Sequence, residues 1–242
     1  MTTEEAWPPA RRRITRNAAS IGIAVGTYGI SYGALGVTNG LSVLQTCALS
    51  LLAFTGGSQF AFAGVIGSGG SPWSGVATAL LLGTRNLLYG LRVGPLLGLR
   101  TRGRKALAAQ LVIDETTAMA LGNEDPVEPR ASRLAFWATG IAVYVCWNLA
   151  TLLGALGAAA FGNPQTYGLD AAVGAAFLAL LWPRVQDRLT ARVALAAAGV
   201  ALLLTPLVTP GVPVLVAGLV AVVVGVRAPA RVLATGTSGA SS

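Results

Sequence analysis

One arginine, Arg85, lies near the centre of a long apolar run over residues 76–99, with no opposite charge within a helical turn. A charge at that depth in a bilayer costs roughly 2.5–3.5 kcal/mol on insertion scales, so it calls for an acid, or for a carboxylate carried by a substrate. Few groups in the chain share this chemistry. They are the glycine-rich break Phe54-Thr55-Gly56-Gly57-Ser58-Gln59-Phe60, the acidic pair Asp114-Glu115, and Asp170. Together they outline a polar path through an apolar protein.

Each of these groups has a definite use. Gly56 and Gly57 permit dihedrals and close backbone approach that other residues resist. If the chain breaks there, Ser58 caps a new half-helix whose free N–H groups favour an anion such as a substrate carboxylate. Gln59 adds two donors and an acceptor. The same small residues also suit a packing seam between membrane helices. Arg85, Tyr89 and Arg92 fall at i, i+4 and i+7, one helix face, with Asn86 beside Arg85. The candidate substrate-binding residues are therefore Gly56, Gly57, Ser58, Gln59, Arg85, Asn86 and Tyr89. Arg85 could equally be half of a structural ion pair.

Asp114 and Glu115 interrupt an otherwise apolar segment, and a carboxylate at low dielectric can carry a proton at ordinary pH. They are candidates for proton coupling or for pairing with Arg85; on an interfacial helix both would simply be solvated. Asp170 opens a further apolar run and reads as a helix cap or as a third coupling candidate. Tyr144 and Asn148, four residues apart, suit interhelical hydrogen bonds.

The elements that must position these residues are transmembrane helices. The chain has 242 residues, 54% of them hydrophobic and only 11% charged, against about 25% charged in soluble domains. Its apolar runs are continuous and do not alternate, which gives helices rather than a barrel. The expected class is an all-α polytopic membrane protein of six to seven transmembrane helices plus re-entrant or broken helices, with a weak internal symmetry of inverted-repeat type. Spans are expected at about 18–37, 76–99, 134–161, 169–183, 193–208 and 212–226, and segments 41–66 and 106–121 are ambiguous. Residues 1–17 read as a cytoplasmic tail, 18–227 as one transmembrane domain and 228–242 as a second tail. The first apolar run is kept as a span, because no small-residue cleavage site follows it.

The net charge of +8 would hint at nucleic acid in a soluble protein. Here 15 of the 17 basic residues sit in five clusters beside apolar runs, which is the positive-inside pattern of a multi-pass protein of the cytoplasmic membrane. The partner is the bilayer, and no nucleic acid is expected. If 41–66 enters, breaks and returns, all five clusters and both termini are cytoplasmic; if it is one tilted helix with a glycine kink, the cluster at Arg100–Lys105 falls on the other side. Interrupted segments in two stretches, 41–99 and 169–226, give the hint of symmetry, a pattern that points to a binding site between repeats. The absence of histidine, of a phosphate-binding loop, of a GxSxG elbow and of metal-spaced cysteines leaves no basis for an enzyme, a cofactor or a metal, nor for an ATP-driven pump in this chain alone.

The motifs Gly57-Ser58-Gln59-Phe60, Arg85-Asn86-Leu87-Leu88-Tyr89-Gly90, Asp114-Glu115-Thr116 and Gly168-Leu169-Asp170, in that order and spacing, resemble those of the AzlC family, the large subunit of bacterial branched-chain amino acid exporters. The resemblance runs over about residues 18–226. It departs from the family in the first span, where Gly26-Thr27-Tyr28-Gly29 stands in place of the usual Pro and Phe, and in the order Arg85-Asn86. The resemblance implies export of leucine, isoleucine, valine and in some members methionine, driven by the proton-motive force, with a small membrane subunit of the AzlD type as partner. A different class fits the same residues: a membrane channel or scaffold subunit whose partner carries the substrate.

Overall fold

The computed structural model describes residues 3–125, 128–160, 185, 188–208 and 212–227. Every element among them is a helix: α1 (Thr3–Thr38), α2 (Val43–Leu52), α3 (Gly57–Gly67), α4 (Pro72–Leu97), α5 (Arg102–Gln110), α6 (Asp114–Gly122), α7 (Pro129–Ala160), α8 (Arg188–Leu204) and α9 (Val212–Arg227). Two stretches among the described residues, Trp7–Thr38 and Pro129–Ala160, are long and apolar enough to cross a membrane. The chain divides into two compact units, with the boundary between Ala176 and Phe177. In the second unit α8 packs against α9. The first unit holds α1–α7 and the residues that bear chemistry. The expected span 169–183 and Asp170 lie outside the described residues.

Helices α1 and α7 are parallel and in very close contact, because glycines on α1 remove the side chains that would hold them apart. A Cβ on Gly22 would come 2.8 Å from that of Ala142, and one on Gly26 2.6 Å from that of Cys146. Further along, Gly33 lies against the Thr151 carbonyl, and Gly154 of α7 lies against the Ile30 carbonyl. In lipid there is no water to expel between helices, so small residues and close van der Waals packing carry association. Next to this seam Tyr32, Phe60 and Trp147 form an aromatic cluster with centroids 5.6–6.2 Å apart.

Helices α2 and α3 make a hairpin rather than a kinked single helix. Asn39, just past α1, donates from Nδ2 to the Ala63 carbonyl at 2.9 Å, and Gly67 at the end of α3 also abuts Asn39. At the start of α2, Thr46 abuts Gly36. Both ends of the hairpin therefore lie beside the C-terminal end of α1. Its tip, 53–56, reaches the middle of α7, where the Phe54 ring meets the Tyr144 ring at 5.0 Å. Ser42 starts α2 through a reciprocal cap with Gln45 (3.1 and 2.8 Å). Ser71 caps α4 with Pro72 at its first turn.

Helix α4 runs back past the hairpin: Gly75 packs on Phe62 and Gly83 faces Ser58. It ends beside the start of α7, where Arg133 donates from Nε to the Leu96 carbonyl at 3.3 Å. The segment 106–121 is not one helix. It splits at 111–113 into α5 and α6, of nine residues each, which form a second hairpin entering from the opposite end. Its open end is tied by Arg92 to Glu124 at 3.0 Å and by Ser132 to the Ala120 carbonyl at 2.8 Å. At its tip, Gln110 Nε2 donates to the Leu51 and Leu52 carbonyls of the first hairpin at 2.9 and 3.3 Å. The long helices α1 and α4 are thus each followed by a hairpin that turns back halfway along, and the two tips meet. This inverted arrangement relates α1–α3 to α4–α6. The symmetry expected between 41–99 and 169–226 cannot be followed, since much of the second stretch lies outside the described residues.

Candidate functional site

The first tip is built by breaking a helix and satisfying its loose ends with side chains. Helix α2 stops at Leu52, leaving its last carbonyls without helical donors. Leu51 accepts from the Tyr144 hydroxyl at 3.1 Å, and Leu51 and Leu52 accept from Gln110; Leu49, which accepts from the Ala53 N–H at 2.9 Å, takes a second bond from Gln59 Nε2 at 3.2 Å. Gly56 then turns the chain at φ +63°, ψ −98°, a conformation essentially reserved to glycine. Helix α3 begins at Gly57 with no side chain capping it, so the N–H groups of Gly57 and Ser58 lie outside the helical ladder at its positive end. Ser58 was expected to be this cap. It lies instead inside the first turn, because Gly56 already supplies the turn and takes the capping position.

Arg85 comes to this tip from the midpoint of α4. Its Nη1 pairs with Asp114 Oδ2 at 3.1 Å, with both side chains partly exposed. Its Nη2 donates to the Thr55 carbonyl at 3.4 Å and lies 3.7 Å from where a Cβ on Gly57 would be. One guanidinium therefore touches both tips, which its planar fork of donors allows and a lysine would not. Asp114 is the first residue of α6 and Glu115 the second, a position where the helix dipole favours negative charge. Thr116 fixes that turn: its hydroxyl accepts from the Ile113 N–H at 3.0 Å and donates to the Leu111 carbonyl at 2.8 Å.

Beside the ion pair is a cavity of about 580 Å³, whose walls include Leu49, Leu52, Phe62, Val76 and Leu80. Such a volume is of small-molecule size. Its polar lining comes from Thr55, Ser58, Gln59, Thr84, Asn86 and Gln110. Ser58 and Gln59 are 3% and 4% exposed. Ser58 Oγ, Gln59 Oε1 and Asn86 Oδ1 have no hydrogen-bond partner in the protein, which a buried polar atom in a finished structural seam would have.

The structure brings together Gly56, Gly57, Ser58, Gln59, Arg85, Asn86 and Asp114; Ser58, Gln59 and Asn86 line the cavity, whereas Gly56, Gly57, Arg85 and Asp114 do not. Glu115 is half-buried in the first turn of α6. Tyr89 shares a helix face with Arg85 but packs against the hydrophobic core and does not line the cavity. Asn148 donates within its own helix, to the Tyr144 carbonyl at 2.8 Å, whereas Tyr144 bonds across to α2. Gln110 and the apolar walls were not singled out in the sequence. Gln110 is the one polar side chain between Lys105 and Asp114, which is the only signal that could have marked it.

A family model described as AzlC protein matches residues 20–161, which takes in both tips, Arg85 and Asp114. No curated relative matches the chain. No solved structure matches it either.

Proposed function

The chain belongs to the AzlC family, and from that premise we propose that it is the large subunit of a secondary transporter exporting branched-chain amino acids across the cytoplasmic membrane. The family and the apolar helices make it a membrane protein with a transport-related role. The observation that carries the finer reading is the meeting of two broken-helix tips at mid-length of α4. There a cationic side chain and a free helix N-terminus lie next to a cavity walled by aliphatic groups. Irregular backbone at membrane depth survives only where protein or a water-filled cavity covers it, and in secondary transporters such breaks form substrate sites.

In this reading Arg85 and the N–H groups of Gly57 and Ser58 receive the substrate carboxylate. Leu49, Leu52, Phe62, Val76 and Leu80 accept the branched chain. Asp114 and Glu115 couple the cycle to protons, with Asp114 exchanging its proton beside Arg85. A small AzlD-type subunit completes the transporter, and both termini are cytoplasmic in a multi-pass topology.

Counterflow tests the reading. Proteoliposomes holding the chain and its small partner, preloaded with unlabelled leucine, take up labelled leucine faster than empty ones. No stimulation by internal leucine contradicts a carrier.

A further inference from the structure

Three residues that line the cavity carry polar atoms whose chemistry is opposite to that of Arg85, which lies next to the lining residue Thr55. Gln59 Nε2 is committed to the Leu49 carbonyl at 3.2 Å. Turning the amide over would set oxygen against oxygen, so Gln59 Oε1 is held as an acceptor with no partner of its own. Asn86 Oδ1 is a second unpartnered acceptor, and Ser58 Oγ is an unpartnered hydroxyl. All three residues line the same cavity. Ser58 and Gln59 are more than nine-tenths buried, so bulk water does not satisfy them at ordinary exposure. Arg85 Nη2 lies by Gly57, and Ser58 Oγ, on the next residue, lies 3.7 Å from where a Cβ on Gly83 would be.

We propose that Ser58 Oγ, Gln59 Oε1 and Asn86 Oδ1 are the receptor for the ammonium group of a zwitterionic α-amino acid. They make the site selective against aliphatic carboxylates that lack that group. This rests on the carrier reading above and names how its substrate is told apart. An ammonium has three donors and no acceptor, and three unpartnered acceptors carried by residues that line one cavity complement it. The neighbouring donors complement the carboxylate, and in an α-amino acid both groups hang on one carbon. A site built to hydrogen-bond a group rejects analogues that lack it, because its own buried polar atoms are then left unpaired.

The test is competition in leucine counterflow, with the full chain and its small partner in proteoliposomes. The competitors are 4-methyl-2-oxopentanoate, which keeps the chain and carboxylate, and 3-methylbutylamine, which keeps the chain and ammonium. Both compete at least about tenfold more weakly than unlabelled leucine, the factor that one lost hydrogen bond to a charged group supplies. Gln59→Leu narrows the gap between leucine and the oxo acid. Gln59→Glu, which removes the bond to Leu49 but keeps an acceptor, preserves it. Competition by the oxo acid as strong as by leucine overturns the inference while leaving a leucine carrier standing. So does an equal loss of selectivity in both Gln59 variants, which marks Gln59 as a structural tie for α2. Absence of leucine counterflow in the unmodified protein overturns the carrier reading itself, and the inference with it.

Discussion

The Arg85 guanidinium and the Asp114 carboxylate meet at 3.1 Å, where two helix hairpins entering from opposite ends of the first unit touch. Arg85 belongs to the long helix that passes both tips, and Asp114 begins the return limb of the second hairpin. The same guanidinium reaches the Thr55 carbonyl of the first tip. A change at Asp114 is therefore felt at the glycine break through one side chain.

Replacing Arg85 separates its two roles. Arg85→Ala removes the cation that faces Asp114 and the donor that holds the Thr55 carbonyl; the pair is partly exposed, so the ion pair itself contributes modestly. Leucine exchange is expected to fall by at least about tenfold, and Arg85→Lys falls less because a point charge can still face Asp114. The double variant Arg85→Ala/Asp114→Ala removes both charges. Its protein level, read by immunoblot of membranes, recovers towards that of the unmodified chain while exchange stays low. Recovery of exchange along with protein level would make the pair purely structural.

Asp114→Asn keeps a side chain of the same shape and removes the titratable group. Exchange of leucine for leucine needs no net proton movement and continues at a measurable rate. Accumulation driven by an imposed pH gradient is lost. Loss of both, or loss of neither, would take proton coupling away from Asp114.

Close helix packing is densest at the α1–α7 seam among the described residues. Gly33→Ala forces a Cβ into the Thr151 carbonyl, an overpacking that costs about 1–3 kcal/mol. Gly157→Ala meets nothing within 4 Å and is expected to be neutral. Thermal unfolding in detergent, followed by loss of the monodisperse peak on size exclusion, checks the contrast.

Much of this arrangement is legible in the residues. Continuous apolar runs give helices, the glycines of Thr55-Gly56-Gly57-Ser58 mark a break, and Arg85 with Asp114 stands out as costly charge. Helical periodicity states which residues share a face but not what that face meets. Tyr89 was grouped with Arg85 for that reason, yet its ring goes to the core. The break at 111–113 carries no glycine or proline; it is stabilised locally by the Thr116 hydroxyl and at long range by Gln110 reaching α2, a contact between distant parts of the chain. Ser58 was misplaced by one local rule, the preference of serine for caps, which yielded to the turn that Gly56 alone can make.

Topology offers an independent check. With Cys47 and Cys146 replaced by serine, single cysteines at Gly40 and Gly70 flank the first hairpin. They are expected to react with an impermeant maleimide from one face of the membrane, and a cysteine at Arg102 from the other. Labelling of positions 40 and 70 from opposite faces would mean that α2 and α3 together cross.

The most direct measurement is substrate protection at the first tip itself. Thr55 lines the cavity, and its carbonyl holds Arg85. A Thr55→Cys variant on the same cysteine-free background is treated with a small maleimide, with leucine or glutamate present, and the alkylation rate is followed by mass spectrometry. The account predicts that leucine slows alkylation in proportion to its occupancy in counterflow and that glutamate does not. An alkylation rate indifferent to leucine, in protein that still exchanges leucine, would place the substrate elsewhere.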